Sequence, residues 1–371
     1  MRAGFFVIAF AIVILINSYV VVRGWHALPP ASVLRPIYLI SMIVSFLILV
    51  VNMVFAEHFP EPIAKVISFV GFTYVIVFVY LMLSFLMVDI IRVANYFIHF
   101  LPDGMAAFRL WAMAATLGLI TIALIIGNYK FNHPSIVTLN ISSDKPKQNK
   151  EIKIVAVSDL HVGISIDKIR LQSYVKLIND QHPDIVLMAG DVSDRSMIPV
   201  KAQHMDEEFR SIKARLGVFA INGNHEHYAE EPNETANYLR SAGITELIDS
   251  VCLVDNSFYI VGREDRSNPK RKNLSDIVNG LDKNLPKILM DHQPFHLEDA
   301  EKNNVDFQIS GHTHNGQFFP GNLVVKRMYE LGYGFMKKGS TNYFVSSGLG
   351  LWGPHYRIGT QSELVVVNFK Y

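Results

Sequence analysis

The sequence predicts a bundle of membrane-spanning helices followed by an α/β domain, and three observations point there. The 371 residues divide sharply by charge: only ten Asp, Glu, Lys or Arg residues occur in 1–129, while the remainder has the charge density of an ordinary soluble domain. Four long apolar runs lie in that first part. Beyond it, short runs rich in β-branched residues alternate with segments of helical periodicity, the pattern of α/β folds.

The apolar runs are 5–22, 37–55, 66–88 and 108–126, each near the ~20 residues that cross a bilayer. The first lacks a small-x-small cleavage site and three more spans follow, so it reads as a helix rather than a cleaved signal peptide. Four spans place the amino-terminal tail and the carboxy-terminal domain on the same side. Arg23, Arg35, Arg92 and Arg109 flank the other side, against Arg2, Lys65 and Lys130. The positive-inside rule then puts the domain outside the cytoplasm; counting Lys145, Lys147 and Lys150 reverses the balance. The expected location is a cell membrane of the bacterial inner-membrane type, with the lipid bilayer as a partner.

Residues 89–101, "DIIRVANYFIHFL", suit either a short interfacial helix or a plain continuation of the third span. The polar stretch "SSDKPKQNK" (142–150) reads as a linker or turn. The expected division is therefore a transmembrane domain at 1–129, a linker at 130–150 and a globular domain at 151–371. Strands are expected at 152–158, 184–189, 217–222, 287–290 and 307–310. A helix at 165–181 carries Ile169, Tyr174, Val175, Leu177 and Ile178 in helical rhythm and stops at Pro183. Further helices are expected at 201–215, 234–242 and 295–303.

The net charge of +1 and the lack of a basic stripe with interleaved aromatics argue against a nucleic-acid partner. The single cysteine, Cys252, excludes an internal disulfide and fits either redox compartment.

The chemistry lies at the carboxyl ends of the five strands. The first runs into Asp159 and His161, the second into "GDVSD" with Asp191 and Asp194, the third into "GNHE" with Asn224 and His225. The fourth runs into Asp291 and His292, and the fifth into "GHTHNGQ" with His312 and His314. Loops at the carboxyl ends of strands in open α/β sheets converge on one rim. Alone, Asp159 reads as a helix cap and His161 as a polar loop residue; jointly, five strand ends delivering such residues read as a metal site. Carboxylate, amide and imidazole without thiolate suit Mn²⁺, Fe²⁺ or Zn²⁺. A carboxylate has two oxygens, so one Asp can bridge two ions of the kind that clamp a phosphoryl displacement. Gly190, Gly223 and Gly311 precede the candidate ligands where the chain must turn sharply.

The ordered motifs D-x-H, GD-x-x-D, GNHE, a lone His and GHTH resemble the calcineurin-like metallophosphoesterase family across 150–371. Within it, "SDLHVG", "GHTHNGQ" and the tail "GLGLWGPHYRIGTQSELVVV" are similar to the membrane-linked YkuE and YaeI branch, although Asn315 stands where many members have Gly. The resemblance implies a four-layer α/β/β/α sandwich and two divalent ions, with Mn favoured. It implies Asp159, His161 and His314 on one ion, Asn224, His292 and His312 on the other, Asp191 bridging and His225 catalytic.

The expected function is that of a membrane-anchored phosphoesterase, attacking a phosphate ester or pyrophosphate of a lipid-linked substrate with a hydroxide held between two ions. One relative class cleaves a nucleotide-linked acylated glucosamine, which requires a cytoplasmic site and opposes a domain outside the cytoplasm. The alternative is a non-catalytic metal-binding scaffold or sensor. Asp194 reads as either an orienting neighbour or a turn cap. Arg357 suits a phosphate or an ion pair with Glu363. His296 reads as a solvated residue, and Glu226 and His227 as surface residues.

Overall fold

The computed structural model describes residues 2–101, 104–145, 150–228 and 233–371. They form two compact units, one of residues up to 126 with 353–355, the other of 127–352 with 356–371.

The first unit is helical: α1 (Arg2–Ala27), α2 (Leu34–Phe55), α3 (Glu61–Ile98) and α4 (Gly104–Asn132). Three of them, α2, α3 and α4, are long and apolar enough to cross a membrane, while the apolar stretch described in α1, Ala11–Ala27, is shorter. Pro62 stands in the first turn of α3, where its missing N–H costs nothing. Residues 89–98 continue α3 without a break, so the separate interfacial helix is replaced by one 38-residue helix. At ~1.5 Å per residue such a helix outruns the ~30 Å of a hydrocarbon core. Polar groups inside this unit find one another. Asp89 pairs with Arg23 at 2.7 Å and Arg92 at 3.0 Å, and the Ser68 hydroxyl donates to Asn52 at 2.6 Å.

The second unit takes in the last turns of α4 from Gly127, and its first strand is β1 (Ser135–Ser142), which occupies part of the stretch expected to be a linker; residues 146–149 of that stretch lie outside the described residues. There follow β2 (Glu151–Val157), α5 (Lys168–Asn179), β3 (Ile185–Ala189), α6 (Ile198–Ala202), α7 (Asp206–Arg210), β4 (Val218–Ile221), α8 (Glu234–Ser241) and β5 (Thr245–Glu246). Then come β6 (Ser250–Val254), β7 (Phe258–Gly262), α9 (Leu274–Ile277), β8 (Lys287–Met290), α10 (Glu298–Lys302) and β9 (Phe307–Ser310). The unit closes with α11 (Gly321–Met328), β10 (Gly334–Lys338), β11 (Thr341–Val345) and β12 (Glu363–Lys370).

The strands build two six-stranded mixed sheets, ordered β1-β12-β2-β3-β4-β5 and β10-β11-β9-β8-β7-β6. Within them β2, β3 and β4 run parallel, as do β7, β8 and β9. The central strands β3, β8 and β9 are wholly buried, which is why they read as unbroken apolar runs. Ile154, Leu187 and Phe219 of one sheet share a core with Ile260, Ile288 and Phe307 of the other. Side chains of opposite alternation in the first sheet, Val155, Val186 and Met188, pack with Leu171, Val175 and Ile178 of α5. In the second sheet Val261, Leu289 and Tyr343 pack with Leu274, Leu297 and Ala300.

The helix expected at 201–215 is instead the separate short turns α6 and α7, and that at 295–303 shrinks to α10. In α5 the Asp167 carboxylate caps the first turn by accepting from the Arg170 amide at 2.9 Å.

Phe307 is fully buried in the core shared by the sheets. Phe307→Ala should remove about 3–5 kcal/mol of stability and lower the unfolding temperature of this unit by roughly 10 °C, measured by calorimetry of the full chain in detergent.

Candidate metal centre

The carboxyl ends of β2, β3, β4, β8 and β9 converge, and the residues beyond them meet. Ligand-type atoms of Asp159, His161 and His314 lie within 4.8 Å of one another, as do those of His161, Asp191 and His225, and those of Asp191, His292 and His312. The three groups share members. Oδ2 of Asp191 stands 3.7 Å from Nε2 of His161 and 3.2 Å from Nε2 of His292. Nε2 of His314 lies 3.6 Å from Oδ1 of Asp159 and 3.3 Å from Nε2 of His161. Asn224 joins through its Oδ1, 2.7 Å from Nδ1 of His312. The structure thus brings together Asp159, His161, Asp191, Asn224, His225, His292, His312 and His314.

The local backbone explains how so many groups crowd one spot. Asp159, His161, Asp191, His312 and His314 all adopt left-handed φ values between 50° and 71°. This conformation costs a non-glycine residue about 1–2 kcal/mol. Gly223 is required by close approach, since a Cβ there would collide with Oδ1 of Asp191 and lie 2.5 Å from its amide nitrogen. At Gly190, with φ of +87°, a Cβ would lie 2.6 Å from Nδ1 of His292.

These groups fit divalent metal ions. Two donors about 2.0–2.2 Å from a common ion lie roughly 3–3.5 Å apart, close to the separations of 2.7–3.7 Å found in the cluster. Nε2 of His292 is buried without a hydrogen-bond partner, while Nδ1 of the same ring is 2.8 Å from the Ala189 carbonyl. Burial works to lower His292, but the charge of Asp191, 3.2 Å from Nε2, raises it well above the usual imidazole range, and a bound ion would take the place of the Nε2 proton. Burial pushes His161 down to about 3 despite the opposing charge of Asp191, and it pushes His312 and His314 down as well. All three imidazoles are therefore neutral, the ligating form. Burial works to raise Asp191, but the charge of His292 outweighs it and holds Asp191 well below the usual carboxylate range.

His225 sits at the edge of the cluster, its ring 4.5 Å from that of His161 and 6.2 Å from Trp352. Its Nδ1 lies 2.5 Å from the Asp194 carbonyl and 3.2 Å from the Asp194 carboxylate. Burial opposes protonation, yet the hydrogen bond to Asp194 and the charges of Asp191 and Asp194 outweigh it and push His225 up to about 9. The same Asp194 oxygen is 4.0 Å from Nδ1 of His161. Arg357 is wholly buried and donates to the carbonyls of His314, Gly348 and Gly350 and to the Ser362 hydroxyl. It reaches the cluster through the backbone of His314. Glu363, the ion-pair partner that the sequence offers it, accepts from the Tyr333 hydroxyl and the Ser347 amide. Asp291 turns away from the cluster to Arg263 and Arg271, and His296 is exposed.

Sequence reasoning missed Glu226. It is buried, and its carboxylate accepts from the amides of Asp191 at 3.0 Å, Gly223 at 2.6 Å and Ser193 at 2.9 Å. Two ligand-bearing loops are thereby tied to one side chain. A carboxylate following "GNH" in a turn, with Gly223 three residues before it, was the available signal. His227 is half-buried and lies 3.1 Å from Glu264.

Fold and site together define an α/β domain with a buried carboxylate, amide and imidazole centre suited to metal. More particularly, residues 152–316 match the model of the calcineurin-like phosphoesterases. It is 34% identical over 225 residues to an uncharacterized metallophosphoesterase of Helicobacter pylori strain 26695, covering 59% of this chain and 60% of that one. It is 27% identical over 280 residues to a transmembrane protein with metallophosphoesterase domain of Danio rerio, covering 71% and 62%. To the uncharacterized metallophosphoesterase YkuE of Bacillus subtilis strain 168 it is 27% identical over 234 residues, covering 59% and 79%. The chain thus spans about three fifths of the length of the H. pylori relative.

Glu226→Ala leaves three amides without their acceptor. The expected result is a loss of metal affinity of about tenfold or more, with Glu226→Gln intermediate. Elemental analysis after dialysis against a weak chelator measures it, and full retention by the alanine variant contradicts the role assigned to Glu226.

Proposed function

We propose that this chain is a membrane-anchored phosphoesterase that hydrolyses a phosphate ester or pyrophosphate at two divalent ions, with Mn²⁺ favoured over Fe²⁺ or Zn²⁺. The observation that carries the reading is the single oxygen of Asp191 facing His161 on one side and His292 on the other. Asp159, His161 and His314 would hold one ion and Asn224, His292 and His312 the second, with Asp191 between them. When bound, such ions neutralise charge on phosphoryl oxygens and lower the pKa of a coordinated water towards neutrality.

The residues of the chain do the rest. Asp194 fixes the His225 ring through Nδ1, which leaves Nε2 as the atom that can meet a substrate. Held protonated at neutral pH, that ring can bond a phosphoryl oxygen or pass its proton to the leaving oxygen. Glu226 and Arg357 hold the loops that carry Asp191 and His314. The family description of the domain, a phosphoesterase, supports the reaction class.

The membrane helices support a lipid-linked substrate, because confinement to the bilayer raises the local concentration of both partners. The reading includes four spans, a catalytic domain outside the cytoplasm by the placement of Arg23, Arg35, Arg92 and Arg109, and a four-layer α/β/β/α order for the domain at 151–371. Protease treatment of intact spheroplasts should cleave that domain; full protection would place it in the cytoplasm.

Purified full-length protein in detergent should hydrolyse para-nitrophenyl phosphate esters only with added Mn²⁺ or a similar ion, and a chelator should abolish the rate. His225→Ala should lower kcat by about 10²–10⁴ with metal content retained. Asp191→Asn should lose both metal and activity. Unchanged activity in both variants would refute the assignment, and metal binding without hydrolysis of any ester would favour the non-catalytic scaffold.

A further inference from the structure

Beside the metal centre lies a cleft of about 300 Å³ lined by Arg263, Arg266, Arg271, Lys272, Phe295 and Asp299, among others. Its cations outnumber its carboxylates. Arg263 and Arg271 both point to one oxygen of Asp291, at 3.1 Å and 2.6 Å, and Asp299 stands 3.6 Å from Arg263. Glu264 and Asp265, in the neighbouring loop, engage other groups: Glu264 accepts from Asn222 and Asn268, and Asp265 from Gln293. Asp249 accepts from the backbone amides of Lys272 and Glu264, so Asp291 and Asp299 are the carboxylates set against the cationic ends of Arg263, Arg266, Arg271 and Lys272.

Burial makes this excess meaningful. Arg263 is only 7% exposed, and the Nε atoms of Arg263 and Arg271, like Oδ1 of Asp291, are buried without a hydrogen-bond partner. A buried donor left unpaired is costly, and planar guanidinium groups match the oxygens of a phosphate. The cleft is also joined to the metal centre. Arg266 lies 4.1 Å over the ring of Phe295, Phe295 is 4.7 Å from Tyr329, and Tyr329 is 6.5 Å from His312.

We propose that the cleft seats a second phosphate of the substrate, separated from the scissile one by a spacer that runs past Tyr329 and Phe295. This rests on the phosphoesterase reading and narrows its substrate to compounds with two spaced phosphates, whether lipid-borne or soluble. Arg263 and Arg271, braced by Asp291, form the buried floor, and Arg266 and Lys272 close over it from the exposed side.

The test compares two pairs of inhibitors of para-nitrophenyl phosphate hydrolysis by the full-length protein in detergent. One pair is hexanediol bisphosphate against hexyl phosphate; the other is cardiolipin against phosphatidylglycerol in mixed micelles. The two-phosphate member of at least one pair should inhibit about tenfold better, and the pair that shows it identifies a soluble or a lipid-borne source. In the double variant Arg266→Ala/Lys272→Ala that ratio should fall close to one. Equal inhibition within both pairs, or a ratio unchanged by the double substitution, overturns the proposal. Calorimetric titration of the same protein with hexanediol bisphosphate reads the cleft without turnover, and wild type should bind about tenfold tighter than the double variant. If no ester is hydrolysed while this difference persists, the catalytic reading fails and the cleft stands; if hydrolysis proceeds without the difference, the cleft fails alone.

Discussion

The structure depends on an electrostatic conflict held in place at one buried rim. Asp159 and Asp191 are almost wholly withdrawn from water, and they face crowded ring nitrogens, of which burial keeps those of His161, His312 and His314 neutral. Removing a carboxylate from water costs several kcal/mol unless donors or cations replace the lost hydration. The chain supplies some donors: the His225 amide reaches Asp191 at 2.9 Å and the His312 amide reaches Asp159 at 3.0 Å. The atoms that remain converge as acceptors, and cations are what such a convergence satisfies. Left-handed backbone at five of these residues, the missing side chain at Gly223 and the three-pronged acceptor Glu226 all preserve an arrangement that the rim's own charges oppose.

The two-sheet architecture makes that arrangement possible. The strands β2, β3 and β4 deliver Asp159, His161, Asp191, Asn224 and His225, whereas β8 and β9 deliver His292, His312 and His314. Neither sheet holds a complete set. The distance between the halves is governed by the apolar core in which Ile154, Leu187 and Phe219 meet Ile260, Ile288 and Phe307. Cores of this kind are close-packed and transmit strain rather than absorb it. Packing far from the rim therefore sets the 3.2 Å between Asp191 and His292, and the site's precision is a property of the interior.

The site was more legible in the sequence than the fold around it. Each of the five strands read from the sequence is a short apolar run that ends at a glycine or a polar residue, so the chemistry at its carboxyl end stood out. The strands β7, β11 and β12 escaped notice although they are largely buried, since no ligand-type motif at their ends drew attention to them, and others had weaker signals. β1 follows directly on a membrane helix, and its sequence "SIVTLNIS" mixes exposed and half-buried positions because it lies at a sheet edge. β6 and β10 are likewise edge strands with few wholly buried residues. The expected helix at 201–215 broke because His204 takes a left-handed φ of 51°, which periodicity alone does not reveal. Glu226 was hidden for a different reason. Its partners are backbone amides from loops more than thirty residues apart, and no side-chain pattern records a backbone donor.

One strand end links the metal centre to the cationic cleft. β8 stops at Met290, and the next two residues turn opposite ways, as successive residues of extended chain do. Asp291 goes to Arg263 and Arg271, and His292 goes to Asp191. Arg263 itself directly follows β7, the parallel neighbour of β8, and its amide donates to the Met290 carbonyl at 3.1 Å. The position of a metal-facing imidazole and that of a phosphate-suited guanidinium are thus fixed by the same few backbone atoms. A shift of the loop after β8 would carry both residues with it. Spacing between the two sites is consequently set by strand geometry, which is stiff, and not by the mobile ends of long side chains. A ligand that spans them is measured against a rigid ruler.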